Sequence, residues 1–346
     1  MGAATVAGGA AMLLTRLRRL AREPGSGFAL VESADAAPRI EYEEGLAEAD
    51  AEVIEGPDGA LRAIPVGPPA ESRFTCFLDG IQRATVALYH GPVPVVCAYA
   101  AAVVRTRRER RMGTLRRDPA SAYSTRFLEE REAAFFPFRY VDPSVVREAL
   151  DGAGEVIDTG PAKPDEQLPL FPPLLQARAA HRVNRWREGL EAELAGRWLE
   201  TAGEDDGWLL VDGSLTLSAE LAACPRAVGV VKSHRTRFFD GDDMRTVLGL
   251  EAGERTSVFQ PGTRSFTPVH SWYLRLRPRA GRDVFWGLVR VEVAASERSV
   301  ELADEVSRWL LAETAPLALP DPRWDRLLYP IRDCEEYLRA RAPRWS

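Results

Sequence analysis

Two short stretches of this chain place an acid directly after a hydrophobic run: Phe77-Leu78-Asp79-Gly80 and Leu210-Val211-Asp212-Gly213-Ser214. Asp-Gly is also a common turn after a strand, and either stretch alone reads as such a turn. The two together, with a long acidic helix just before the second, point to chemistry. In open α/β sheets, sites form at strand ends. Carboxylates from neighbouring strand ends converge, and they repel one another unless a divalent cation neutralises them. Oxygen-only ligands suit magnesium or manganese. Two such ions about 3.5–4 Å apart activate water and stabilise the leaving oxygen in phosphodiester cleavage.

A third acid is expected from the helix before Asp212, which offers Glu191 and Glu193. Both flank its apolar face, and periodicity leaves the choice between them open. Lys232 ends the strand after Asp212, in Val230-Val231-Lys232-Ser233-His234. As a point charge beside clustered acids it suits a scissile phosphate, or equally a salt bridge to one of those acids. Arg290 and Glu292 lie two apart and share one face of a later strand. Arg264 belongs to the same region. The stretch Arg105–Arg117 holds seven arginines in thirteen residues. It reads as a solvated face or as a phosphate-contacting patch in which Arg105, Arg107, Arg108, Arg110 and Arg111 meet DNA.

These residues need a sheet to position them. The apolar runs Phe74–Leu78, Ala84–Tyr89 and Val93–Val104, joined by tight connections, predict an antiparallel meander. Residues 124–150 read as helical, and residues 151–173 as a Pro/Gly loop or lid. Val183, Trp186, Leu190, Leu194 and Trp198 predict a helix over Leu174–Glu200. Strands are expected at Trp208–Val211 and Ala227–Val231, and a hairpin at Trp272–Arg277 and Val284–Val293. Helices are expected at Val300–Ala312 and within Trp324–Arg341. Residues 1–70 read as an extension before a main domain at 71–346. Its Met12–Leu20 forms a leucine-striped helix suited to its own domain or to a partner. Pro57-Asp58-Gly59 is a turn signal that ties Ala51–Glu55 to Leu61–Val66 in a small hairpin.

Composition excludes several classes. The chain has 346 residues, 45% of them hydrophobic, with a net charge of −6. That composition permits an ordinary core and removes any whole-molecule attraction to nucleic acid, so such binding must be local. No apolar run reaches the ~20 residues of a membrane helix. The N-terminal arginines follow the apolar run, unlike a secretory signal, and a cytoplasmic protein is expected. The four cysteines form no CxxC pair, which argues against a zinc ribbon or a disulfide scaffold. No P-loop and no Gly-x-Ser-x-Gly elbow is present. There are 43 arginines and two lysines, Lys163 and Lys232, so a surviving lysine hints that an ammonium is wanted there.

The order of motifs resembles the NurA nuclease family: strand-Asp-Gly, a helix with glutamate, Leu-Val-Asp-Gly-Ser-Leu, then Val-Gly-Val-Val-Lys-Ser. Phe285-Trp286-Gly287-Leu288-Val289-Arg290-Val291-Glu292 resembles that family's Arg-x-Glu strand. The resemblance covers about residues 74–340 and is most specific over 208–233. It implies an α/β, RNase H-like mixed sheet flanked by helices. It implies manganese-dependent DNA cleavage, with 5′→3′ exonuclease and single-strand endonuclease activity. It also implies a homodimer docked on a hexameric HerA-type ATPase, in DNA end resection, repair or defence. Asp79 and Asp212 match the two catalytic aspartates, Glu191 or Glu193 the glutamate between them, and Lys232 the following lysine. The C-terminus departs from the pattern. Where the family carries Ala-His on a helix, this chain has Tyr329-Pro330-Ile331-Arg332-Asp333-Cys334-Glu335-Glu336-Tyr337. Without a gap Tyr337 falls near the histidine position; a two-residue shift puts Glu335 there as an oxygen ligand. Ile81 also replaces a small polar residue. The missing histidine favours an alternative, a catalytically weakened DNA-binding or motor-assembly module.

Overall fold

The computed structural model describes residues 10–31, 45–109, 111–117, 125–163, 165–203, 207–262, 267–314 and 328–343. Arg110 and Arg264 lie outside them. A mixed sheet of 14 strands forms the centre of the described residues. Eight of its strands matter for the site: β1 (Phe74–His90), β2 (Val93–Arg108), β3 (Leu128–Phe136), β4 (Glu155–Asp158), β5 (Trp208–Asp212), β6 (Ala227–Val231), β7 (Val269–Arg275) and β8 (Leu288–Ala294). Their spatial order is β4-β3-β2-β1-β5-β6-β8-β7. Strands β1, β2 and β3 are antiparallel; β5 runs parallel to β1, and β6 parallel to β5. The chain is therefore an α/β protein with a large mixed sheet flanked by helices.

Alternation along the strands separates two apolar faces. Phe77, Ala101, Val103, Leu210 and Val228 pack with Val306, Trp309 and Leu310 of helix α1 (Ser299–Glu313) and with Ile331, Cys334 and Leu338 of helix α2 (Tyr329–Arg341). Leu78, Ala100, Ala102, Leu209 and Val211 pack with Leu190, Leu194 and Trp198 of the long helix Pro172–Thr201. Small alanines on β2 let helices approach both faces closely.

Several expectations need correction. Strand β1 does not stop at Asp79-Gly80; it runs to His90 because β2 pairs with it throughout, Asp79 opposite Val103 and Gly80 opposite Ala102. The two expected runs are one strand. Residues 124–150 are not one helix. Leu128–Phe136 is strand β3, and only Pro143–Leu150 is helical. Glutamate and alanine favour helix locally, but β2 offers a buried edge and eight paired residues from Leu128 to Phe135 override that propensity. The hairpin around Pro57-Asp58-Gly59 does not form either. Ala51–Val53 pairs with Phe259–Pro261, and Ala63–Pro65 with Glu254–Thr256. The helix Ala10–Leu20 packs Leu13, Leu17 and Leu20 against Cys97, Ala134 and Phe136 of this chain's own sheet. Among the described residues no helix is long and apolar enough to cross a membrane.

Strand β3 also carries a titrating group outside the site. Glu132 is half-buried, and its Oε1 atom is buried with no hydrogen-bond partner. Burial pushes its carboxyl up to about 8, from 4.5. Folding thus takes up a proton between those values, so this group's contribution to stability is full at low pH and is lost as pH rises toward 8. Glu132→Gln is expected to leave the unfolding temperature nearly unchanged at pH 5 and to raise it at pH 8.5. Allowing for solvent screening, the gain is on the order of 1–2 kcal/mol. Thermal unfolding of both proteins across this range is the check; parallel curves would refute a neutral buried carboxyl.

Candidate functional site

The site arises where β5 runs out. Leu78 of β1 pairs with Val211 of β5, the last pair of that register, so Asp79 and Asp212 take the next positions on adjacent strands; neighbouring strands run about 4.8 Å apart. Gly213 follows with φ 134°, in the region that favours glycine, and its N–H donates to the Val230 carbonyl oxygen at 3.0 Å. Beyond this point β1 has lost its neighbour, and a cleft of about 830 Å³ opens beside it. Asp79, Gly80, Glu191, Asp212, Ser214 and Lys232 are among its lining residues.

Glu191 reaches this cleft from the helix Pro172–Thr201. It is 2% exposed and pairs with Arg187 one turn earlier. Gly80 makes the approach possible: a Cβ there would fall inside the Glu191 carboxylate. Glu193 does not join the site. It pairs with Arg131 at 2.7 Å, and 43% of its side chain is exposed. Residues two apart on a helix are separated by about 200°, so Glu191 turns to the cleft while Glu193 lies at the exposed side, over Arg131 of β3. In the folded helix Glu191 is buried along with Ala195 and Trp198, four and seven residues on.

The electrostatics are those of crowded acids. Asp79 is 6% exposed. Burial holds its carboxyl well above the usual range, and the carboxylates of Asp212 and Glu191 add to this. Burial likewise pushes Glu191 up to about 7, with Arg187 opposing and Asp212 adding. Lys232 Nζ lies 2.8 Å from the Asp212 carboxylate. Burial alone would lower the lysine, but Asp212 and Asp79 together push it up. The salt bridge read from sequence is therefore present.

Glu292 was noted in the sequence only as a neighbour of Arg290, and it proves to be structural support. It is 1% exposed and accepts hydrogen bonds from Ser214 Oγ and the Leu215 N–H, both at 2.8 Å. Arg290 pairs with it, and its guanidinium carbon lies 5.0 Å over the Phe238 ring. Glu292 thus clamps the turn that carries Asp212. Gly229 lets that turn cross β6, since a Cβ there would meet the Gly213 carbonyl oxygen at 2.7 Å. Arg187 and Glu188 also line the cleft and were not singled out from sequence.

The other candidates lie elsewhere. Glu335 is close enough to Lys232 to raise its pKa, but its carboxylate is held between Arg332 and Arg339. Arg105 bonds Asp333 at 2.7 Å and stacks over Tyr337 at 4.5 Å. Arg107 bonds Glu313 at 2.6 Å and the Phe74 carbonyl at 2.9 Å. These two arginines fasten α1 and α2 to the sheet and have partners within the chain. Arg108 and Arg111 are exposed at a hairpin tip and are not among the cleft-lining residues. Of the described DNA-contact candidates, only Arg290 lines the cleft.

The donor set fits an oxygen-preferring divalent cation. Asp79, Glu191 and Asp212 supply only oxygens, and their mutual repulsion is offset by Arg187 and Lys232. Among the described residues, no group of three or more histidine, cysteine or acidic side chains is already arranged to hold a metal ion. Glu191 is turned to Arg187 and Asp212 to Lys232, so binding would require these pairs to open. Fold and site together define an α/β protein with a cleft of buried carboxylates at the end of a parallel strand pair. No protein-family model matches the chain, and no curated protein matches it significantly.

Proposed function

We propose that this protein is a divalent-metal-dependent DNA nuclease with an RNase H-like sheet, of the kind the NurA resemblance implies. The observation that carries the reading is the convergence of Asp79, Asp212 and Glu191 in one cleft. These three acids come from two neighbouring strands and a helix more than 100 residues along the chain. The antiparallel strands β3-β2-β1, continued on the other side of β1 by the parallel strands β5 and β6 and with aspartates on β1 and β5, support the fold half of the proposal. Manganese, or magnesium, suits the oxygen donors.

Asp79, Asp212 and Glu191 would hold the ions. Bound ions supply charge neutralisation at the scissile phosphate and an activated water. This chain's own residues do the rest. Lys232, now paired with Asp212, would be free to orient a phosphate oxygen if Asp212 held a cation. Glu292 keeps the Asp212 turn in place through Ser214 and Leu215. The helix backing Glu191 excludes water from one side. Without cations the cleft's carboxylates repel a phosphodiester, so cleavage should be strictly metal-dependent. DNA grip beyond the cleft would come from a homodimer and a HerA-type motor, which accords with the net charge of −6.

The test is cleavage of 5′-labelled single- and double-stranded DNA with manganese or with EDTA, with and without a HerA-type motor. Cleavage in manganese that EDTA abolishes is expected. No cleavage in any condition, with DNA or motor binding retained, would replace this reading with the non-catalytic module.

A further inference from the structure

An aromatic ladder leads out of the cleft. Tyr273 lines the cleft wall, and its ring is 6.2 Å from His234. His234 in turn stacks on Phe285 at 4.8 Å and 16°. His234 follows Lys232 by two residues, a reach of at most about 7 Å. Its Nε2 is fixed 3.0 Å from the Leu288 carbonyl oxygen. The middle ring of the ladder, His234, is therefore one short step from the lysine assigned to a phosphate.

Phe285 is 43% exposed, yet its loop is rigidly held. The fully buried Arg275 guanidinium donates to the carbonyl oxygens of Val284 at 2.9 Å and Trp286 at 2.6 Å. The Phe285 N–H donates to Asp283 Oδ1 at 2.9 Å. An exposed aromatic ring presented by such a frame is not a core residue that failed to bury. Its surroundings are cationic: Arg235 follows His234 and is exposed, and the exposed Arg282 guanidinium carbon stands 4.9 Å over the Trp286 ring. A flat ring with nearby arginines, a short reach from the Lys232 ammonium, is the chemistry of base stacking on a single strand.

We propose that Phe285, backed by His234, is the platform on which an unpaired base of single-stranded DNA stacks at the mouth of the cleft. The proposal rests on the nuclease reading of that cleft and adds to it a base-recognition subsite and a preference for unpaired strands. A base paired in a duplex has its faces covered by neighbouring pairs and offers none to Phe285.

The test is fluorescence anisotropy of the full chain with a labelled oligo-dT and with a blunt duplex of equal length. It is run in EDTA and with calcium, for wild type, Phe285→Ala, Phe285→Leu and Phe285→Trp. Phe285→Ala and Phe285→Leu are expected to weaken single-strand binding roughly 5- to 100-fold, the range of base–aromatic stacking. Duplex binding should change less than about twofold, and Phe285→Trp should restore the single strand. Phe285→Leu keeps apolar bulk, so its loss separates stacking from packing. Single-strand affinity unchanged in Phe285→Ala overturns the platform while the nuclease reading stands. So does an equal loss for strand and duplex. Wild type that binds neither probe in either buffer overturns both.

Discussion

Asp212→Ala is expected to lower manganese-dependent cleavage of single-stranded DNA by at least about 100-fold, or roughly 2.7 kcal/mol of transition-state stabilisation. The loss should be in kcat more than in KM. Asp212 is the acid at the open end of the strand pair, and its side chain keeps 23% exposure, the most accessible of the three. It is also the partner of Lys232. Under the proposed mechanism its removal would take away a ligand, and it frees the lysine to pair with Asp79, whose charge it already feels. The ammonium then stands where a cation is needed. Folding should survive, because one crowded carboxylate is lost from a repelling group. The unfolding temperature is measured alongside initial rates on 5′-labelled substrate. A folded variant that keeps more than a tenth of wild-type cleavage would sink the carboxylate-metal mechanism.

The second expectation separates two glutamates that differ by two positions. Glu191→Gln should reduce cleavage at least about tenfold to a hundredfold, whereas Glu193→Gln should change it less than about twofold. Glu191 is buried in the cleft within reach of the Asp212 charge, and a neutral amide there would neither ligate well nor balance Arg187. Glu193 loses only a half-exposed pair with Arg131, worth at most about 1 kcal/mol of stability. Single-turnover rates in saturating manganese are the measurement. The opposite ranking would mean that the helix is turned in solution from the orientation described, and would remove Glu191 from the site.

The comparison of these residues shows why the site was half legible. Asp79 and Asp212 were readable because each combines a hydrophobic run with Asp-Gly, a local pattern of four residues. Lys232 was readable by its rarity among arginines. Glu191 was legible only to a choice of two, since its assignment depends on which helix face meets the sheet. The arginine run was the opposite case. Its composition suits a solvated face or a DNA surface and does not disclose that Arg105 and Arg107 bond Asp333 and Glu313, more than 200 residues away. Charge density along a chain does not report on partners so distant.

By itself, the sequence determined the main strands and the long helix, because apolar periodicity is a property of neighbouring residues. It also determined the identities of the acids that could bind a cation. The tertiary structure alone decided where β1 ends its pairing with β5, and therefore where the cleft opens. It decided that Leu128–Phe136 is a strand, because the vacant edge of β2 outweighs local helix propensity. It decided that Gly80 admits Glu191 and that Glu292 supports the turn after Asp212. These are contacts between segments far apart in the chain, set by sheet order and register, and no local pattern encodes them.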